Sequence, residues 1–318
     1  MNQNPIAIGI HGGCGTLEEE LRNPDHWADV RAALHASLQA AWRVLEGGGT
    51  ALDAVEAAVL VMEDSEHFNA GHGAALNSAG EHELDAAIMD GSDRRAGAVC
   101  AARTIRNPIR AARAVMEESD CVLICGADAD QFAERCALAP VPNSYFTTAQ
   151  RRAALASLKA RELAGTSAQA SEAERHGTVG AVALDRAGNL AAATSTGGFN
   201  NKAPGRIGDS PIIGAGTYAA NGVCAVSCTG QGEIFIRHVA AHEIAARLRY
   251  AGQGLEEATN AMIFKELSGY GIGAGMIALD AAGTVVAPFN TNAMARGWIG
   301  ADGVAWVATH AQVHRAGG

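Results

Sequence analysis

No apolar run in this 318-residue chain approaches the length of a membrane-spanning helix, so none is expected. Basic clusters are equally scarce: none is longer than a pair such as Arg151-Arg152, and the formal net charge is −10. A phosphate backbone is therefore not the expected partner, and a small molecule is. The first residues have no basic start. The short apolar run 6–10 reads as a buried strand rather than a secretory signal, which points to the cytoplasm. After that run, His11-Gly12-Gly13-Cys14-Gly15 lacks the third glycine of a dinucleotide fingerprint, and no Gly-Lys-Ser/Thr occurs anywhere. The segment reads instead as a glycine-rich turn beneath an active site. No Gly-x-Ser-x-Gly elbow is present, which removes a common serine hydrolase signature. His238 and His242 stand four apart but lack the glutamate of a His-Glu-x-x-His site, so they read as helix-surface or core residues. The seven cysteines are odd in number and mostly in apolar segments, as expected of reduced core thiols. Cys121 with Cys125, and Cys224 with Cys228, fall on expected strands, where four residues span about 13 Å, too far for a disulfide.

What is present is material for one large globular unit, with 48% apolar and 18% charged residues spread evenly along the chain. Periodicity predicts a strand at 6–10, an amphipathic helix at 27–46 and a second at 51–63, opened by a Thr50/Asp53 capping box and followed by a loop at 64–73. Strands at 83–89 and 96–104 follow, then a helix to 116 capped by Asn107-Pro108, then a strand at 121–125. Further strands are predicted at 179–184, 190–196, 212–218 and 224–229, helices at 234–250 and 255–267, and strands at 276–279, 285–289 and 305–308. Strands grouped with strands imply two stacked, mainly antiparallel sheets covered by helices, an α+β fold.

One stretch breaks this pattern. From 147 to 176 the chain turns to alanine, charge and small polar residues with almost no core material, a linker able to form at most a surface helix. Directly after it come three threonine- and glycine-rich strand ends: Gly177-Thr178-Val179-Gly180, Thr194-Ser195-Thr196-Gly197-Gly198 and Ser227-Cys228-Thr229-Gly230-Gln231-Gly232. Each alone is ordinary β structure and turn. Together they place a strand-initial threonine at a junction where cutting the Gly177-Thr178 bond would make it a chain terminus.

HGTVGAVALDRAGNLAAATSTGG, NKAPGRIGDSPIIGAG, SCTGQGE, HGGCG and FNAGHG followed by HELDAAIMDG occur in one chain. This set resembles the plant-type asparaginase and isoaspartyl peptidase family of N-terminal-nucleophile hydrolases. The resemblance implies a four-layer αββα sandwich, a single-domain precursor over 1–318, and self-cleavage into an α subunit, 1–177, and a β subunit, 178–318, with about 148–177 as a mobile linker. It implies Thr178 as the nucleophile, Thr196 as its hydrogen-bond partner, the Thr229 hydroxyl and Gly230 N–H as the oxyanion hole, and Asn69 as an orienting residue. Arg206 and Asp209 would hold the substrate's α-carboxylate and α-ammonium, with Gly230 and the Gly232 carbonyl also on the substrate. No catalytic cofactor is implied. A structural sodium ion is, on the carbonyls of Met62, Glu63, Ser65, Phe68, Ala70 and His72. This loop departs from familiar relatives in its polar Ser65, Glu66 and His67, and in His72. The implied substrates are L-asparagine and β-aspartyl dipeptides, and the implied assembly is a dimer of αβ units, with no nucleic acid or membrane partner.

The residue types suit that chemistry. A threonine hydroxyl is a weak nucleophile, but an N-terminal threonine carries its own base, an α-amine with a pKa of about 7.7–8.0. Gly177 tolerates the strained backbone that brings its carbonyl onto the hydroxyl, while β-branching restricts χ1 of Thr178. Gly205-Arg206-Ile207-Gly208-Asp209 supplies one cation and one anion on a short loop, as a zwitterionic head group requires. A glycosylasparaginase is the nearest alternative, but that subfamily tends to carry aspartate where Gly177 stands. A taspase-like protease would need contacts for a long polypeptide. A non-maturing amino-acid-binding relative is the alternative of another class.

Overall fold

The central strands are buried on both faces, and their residues alternate between two large cores. The structure, a computed structural model, describes residues 4–15, 24–165 and 177–316. In chain order the first elements are β1 (Ala7–Gly15), α1 (Pro24–Glu46), α2 (Ala51–Glu63), β2 (Leu84–Asp90), β3 (Ala96–Ala102), α3 (Pro108–Glu118), β4 (Leu123–Cys125), α4 (Gly126–Arg135) and α5 (Ala149–Leu163). After the linker come β5 (Val179–Leu184), β6 (Leu190–Thr196), β7 (Thr217–Ala220), β8 (Cys224–Gly230), α6 (Gly232–His238), α7 (Ala240–Ala251) and α8 (Leu255–Ala261). The chain closes with β9 (Ala274–Asp280), β10 (Val285–Val286), β11 (Ala293–Ile299), β12 (Ala305–Ala308) and β13 (Val313–Arg315).

These strands form a nine-stranded sheet, ordered β13-β12-β11-β1-β5-β6-β2-β3-β4, and a four-stranded sheet, β10-β9-β8-β7. Every strand pair is antiparallel except β3–β4. On β5, Val179, Ala181 and Ala183 join the core that includes α1, α2 and α3, whereas Val182 and Leu184 join the core shared with β7, β8 and β9. The two-residue period thus gives the large sheet two apolar faces. Helices α1–α3 pack against strands of the large sheet, β1, β5 and β6 of that sheet touch the small one, and α7 and α8 pack against strands of the small sheet. The chain is a mixed α/β protein built on large sheets.

Several expectations are met closely. Thr50 caps α2, its hydroxyl accepting from Asp53 N–H at 3.1 Å; such a cap typically contributes about 1 kcal/mol. Others need correction. The His11-Gly12-Gly13-Cys14-Gly15 segment is not a turn: it continues β1, with a bulge between His11 and Gly13. Asn107 does not cap α3 with its side chain, which donates to Asp64 Oδ1; Ile109 N–H instead donates to Glu63 Oε1 at 3.0 Å. The strand expected at 212–218 begins only at Thr217, because 209–216 folds into turns closed by Ile212 N–H to Asp209 O and Ala215 N–H to Ile212 O. The helix expected at 234–250 is two helices, broken at Val239, whose φ is +47°. That break places His238 against Tyr270 and His242 against Tyr218, on different helices. All seven cysteines are free, but Cys121 and Cys125 are exposed, since β4 is a three-residue edge strand. Residues 149–163 of the expected linker form α5, which buries Leu155 and Leu158; residues 166–176 lie outside the described residues. Among the described residues, no helix is long and apolar enough to cross a membrane.

Candidate active site

The β5–β6 hairpin sets the centre of the site. Val179 pairs with Ser195, and extending that register by one residue brings Thr178 level with Thr196. Thr178 is buried, and its hydroxyl donates to Thr196 Oγ1 at 3.1 Å. Thr196 Oγ1 lies 3.5 Å from the Gly177 carbonyl oxygen and accepts from Gly198 N–H at 3.0 Å. One hydroxyl therefore touches both the would-be nucleophile and the carbonyl it would attack. The chain reaches this position through Gly177, whose φ is +150°, and passes β1 so closely that a Cβ on Gly13 would stand 2.7 Å from Gly177 Cα. Both positions demand glycine.

Asn69 braces the same turn. Its Nδ2 donates to Gly198 O at 2.6 Å, its Oδ1 accepts from Ala75 N–H at 2.6 Å, and its own carbonyl accepts from Gly197 N–H. These bonds tie it to the Thr196–Gly198 turn, and no hydrogen bond joins it to Thr178. Thr229 and Gly230 end β8, with the Thr229 hydroxyl buried and without a hydrogen-bond partner. Gly230 lines a small cavity together with Thr178, Thr196, Arg206, Gly208 and Asp209. Gly177 faces a second, larger cavity, with Gly13, Trp27, Phe68 and Asn69 in its wall.

The charged end of the small cavity is more elaborate than a cation beside an anion. Arg206 does not pair with Asp209. Its Nε and Nη2 donate to the two carboxylate oxygens of Glu233 at 2.8 and 2.9 Å, and its guanidinium lies 4.6 Å from the centre of the Phe199 ring. A bidentate bond and a stacked ring leave little freedom in orientation. Asp209 is fully buried with Oδ2 unpartnered. Burial pushes its carboxyl up to about 7, with the Asp209 backbone and the Arg206 charge opposing. Gly232 packs directly on it, since a Cβ there would stand 2.8 Å from both Asp209 N and Oδ1.

A family model described as asparaginase matches residues 4–309. The isoaspartyl peptidase of Salmonella typhimurium is 45% identical over 298 residues, 93% of this chain and 95% of that protein. The Escherichia coli isoaspartyl peptidase is 45% identical over 92% of each chain. The isoaspartyl peptidase/L-asparaginase of Homo sapiens is 40% identical, again over 92% of each. The chain belongs to the asparaginase family.

This asparaginase-family site contains groups that motif reading passed over. His11 is fully buried beside the Thr178 backbone, and burial lowers its pKa to about 3, so it is a neutral imidazole. Its Nε2 meets Ser227 Oγ at 2.9 Å, Ser227 meets Thr194 Oγ1 at 2.7 Å, and Thr194 meets Thr217 Oγ1 at 2.6 Å. This chain of hydroxyls runs between the sheets from β1 to the Ser210 carbonyl, which accepts from Thr217 at 3.1 Å. A polar residue ending the apolar run at His11 was the available signal. Glu233 was legible only as the last letter of SCTGQGE. Within the loop 62–73 that carries Asn69, Glu63 O accepts from His72 N–H at 2.7 Å, and the His72 ring turns to the Tyr145 carbonyl. Among the described residues, no group of three or more histidine, cysteine, aspartate or glutamate side chains is arranged to hold a metal.

Proposed function

We propose that this chain cuts its own Gly177–Thr178 bond and then hydrolyses the side-chain amide of L-asparagine and of β-aspartyl dipeptides. The observation that carries the reading is a single small cavity that has the Thr178 hydroxyl at one end and Arg206 with the unpartnered Asp209 carboxyl at the other. In the uncut chain, Thr178 Oγ attacks the Gly177 carbonyl carbon. The C–N bond breaks, the nitrogen takes the hydroxyl's proton, and an ester remains that water opens to a Gly177 carboxylate. The freed α-amine then serves as base for the same hydroxyl. When Oγ attacks a β-carbonyl, charge develops on its oxygen. The Thr229 hydroxyl and Gly230 N–H would receive it, and the unsatisfied state of Thr229 supports that role. The leaving amine takes its proton from the Thr178 ammonium, and water releases aspartate from the second ester.

Recognition follows from the far end. An α-ammonium would supply the donor that Asp209 Oδ2 lacks, with the Gly232 carbonyl beside it, and an α-carboxylate would meet the guanidinium that Glu233 and Phe199 orient. Only the side-chain carbonyl then remains to reach Thr178. An α-linked aspartyl peptide has spent its α-carboxylate in the peptide bond and cannot be held this way.

The same reading includes the four-layer αββα arrangement, a dimer of αβ units and a cytoplasmic location, the last supported by seven free thiols. It also includes a sodium ion on the carbonyls of Met62, Glu63, Ser65, Phe68, Ala70 and His72. Two glycines fit that assignment, because Cβ atoms there would press into the loop's carbonyls: at Gly71, 2.4 Å from Glu63 O, and at Gly73, 2.7 Å from Phe68 O. Converging carbonyls are hard donors suited to a hard cation. The ion would hold the loop that carries Asn69.

Steady-state rates on an α- and a β-linked aspartyl dipeptide of otherwise identical sequence test the proposal, alongside a denaturing gel. The expected result is two bands and turnover of the β linkage alone. Arg206→Ala should still cut itself but lose about 2–5 kcal/mol of kcat/KM on β-linked substrate, as truncating one partner of a desolvated charge pair commonly does. Comparable turnover of both linkages overturns the assignment of Arg206 and Asp209.

A further inference from the structure

Beneath the site lies a buried cation that the chemistry above does not use. Lys202 is wholly inaccessible to solvent, yet its Nζ has one hydrogen bond, to the Glu83 carbonyl at 2.8 Å. An ammonium is costly to bury without an opposing charge. Burial lowers its pKa, and Asp85 is the leading charge that opposes the shift. Asp85 is itself fully buried, with Oδ1 accepting from Ala101 N–H at 2.8 Å and Oδ2 unpartnered; burial raises its pKa, and Lys202 is the foremost charge opposing that rise.

Both ends of the site adjoin Asp85, Lys202 and Glu83. Asp85 lies directly opposite Thr196 in the β2–β6 register. The lysine stem packs on Gly198, where a Cβ would stand 2.8 Å from Lys202 Cδ and 3.0 Å from Nζ. Gly198 N–H is the group that donates to Thr196 Oγ1. On the other side, the Glu83 carboxylate accepts from Gly205 N–H at 2.9 Å, at the start of the loop that carries Arg206 and Asp209. The backbone at 202 is clamped as well, by Ser78 N–H to Lys202 O at 2.8 Å.

We infer that Lys202 is a positioning residue: its stem against Gly198 and its ammonium on the Glu83 carbonyl hold the Thr196–Gly198 turn and the 205–209 loop in register with each other, with the Asp85 carboxyl as the nearest countercharge on the same sheet. It touches no substrate. It acts by fixing the distance between the hydroxyl that attacks and the charges that grip. The inference rests on the hydrolase reading above.

The test compares full-length Lys202→Met, Asp85→Asn and the double variant with wild type. Fold is checked by circular dichroism, and kcat, KM and the self-cleavage half-time are measured per folded chain. Methionine keeps the stem and removes the charge. Lys202→Met is expected to lower kcat tenfold or more, raise KM and slow self-cleavage, whereas a purely structural role would lower only the folded fraction. The double variant should lose less than the product of the two single losses, because it removes the uncompensated charge. Wild-type kcat and KM in folded Lys202→Met, or strictly multiplicative losses, overturn the inference. Should Lys202→Met not fold, restored folding and turnover in the double variant supports the coupling, and wild-type kinetics in Asp85→Asn refutes it. A wild-type chain that cleaves itself but turns over neither substrate refutes only the hydrolase reading, and self-cleavage then judges Lys202. A wild-type chain that does neither refutes both.

Discussion

The two ends of the small cavity are built on different principles. The end proposed to react is neutral: the hydroxyls of Thr178 and Thr196 and the backbone of Gly230, with Thr229 next to it on β8, all at strand ends and located by sheet register. The end proposed to grip is charged, with Arg206 and Asp209 on an irregular loop beside Glu233, Phe199, Glu83 and Lys202. Strand pairing fixes the backbone of a short side chain on both sides, and only the turn beyond Thr196 needs the bracing of Asn69 and Lys202. A loop has no such ladder, so its charges are oriented by other charges. Losses at the first end should therefore fall on kcat, complete only for the Thr178 hydroxyl, and losses at the second should fall mainly on substrate binding.

The sharpest break of the reacting end is Thr178→Ala. It should leave a folded, uncut chain with no measurable turnover, because one hydroxyl performs both reactions; a gel and an amide-release assay read it, and a cut, active variant would end the assignment. Thr229→Ala comes next. Loss of one oxyanion donor typically lowers kcat by about 10²–10³-fold, and KM should change little, since the charge that the donor receives exists only in the transition state.

The gripping end should respond more gradually, and pH is its natural probe. Asp209, pushed up to about 7 by burial, gains a proton as pH falls through that value and loses the charge that faces an α-ammonium. KM should therefore rise below about pH 7 while kcat holds, since a bound ammonium keeps the carboxylate ionised. A protonated Thr178 amine, with an ordinary pKa of about 7.7–8.0, would lower kcat as well, so separate kcat and kcat/KM profiles distinguish the two groups. A KM that is flat across pH 7 would contradict the role of Asp209. The smallest effect is expected from Glu233→Gln. The Arg206–Glu233 pair is half exposed on the glutamate side, with side-chain exposures of 15% and 45%. Partly exposed pairs contribute about 0.2–1 kcal/mol, so KM should rise only a few-fold, and a hundredfold rise would mean that Glu233 does more than steady the guanidinium.

How far the sequence could be read follows the same division. The hairpin threonines were legible because a two-residue period and glycine turns place them locally, and Thr50 because a cap needs only its own next three residues. The Thr217 strand start, the broken helix at Val239 and the true partner of Arg206 were not. Each depends on what lies across the fold: turns closed within 209–216, a left-handed residue between two packed helices, and a glutamate 27 residues away. β11 and β13 also escaped periodicity. β11 carries glycine and arginine within a buried strand, and β13 is only three residues long.

By itself the sequence determined which groups exist and which are neighbours along the chain: a threonine after glycine at a strand start, a cation and an anion on one loop, and a core-poor stretch just upstream. Tertiary structure alone decided that β5 lies between β1 and β6, so that Gly13 presses on Gly177 and Thr196 meets Thr178. It also decided that Arg206 faces Glu233 while Asp209 is left unpartnered. The physical reason is range. Backbone propensity and side-chain alternation act over a few residues, whereas burial and Coulomb interaction act between whatever the sheets bring together, and the chemistry of this site depends on pairs more than a hundred residues apart as much as on adjacent ones.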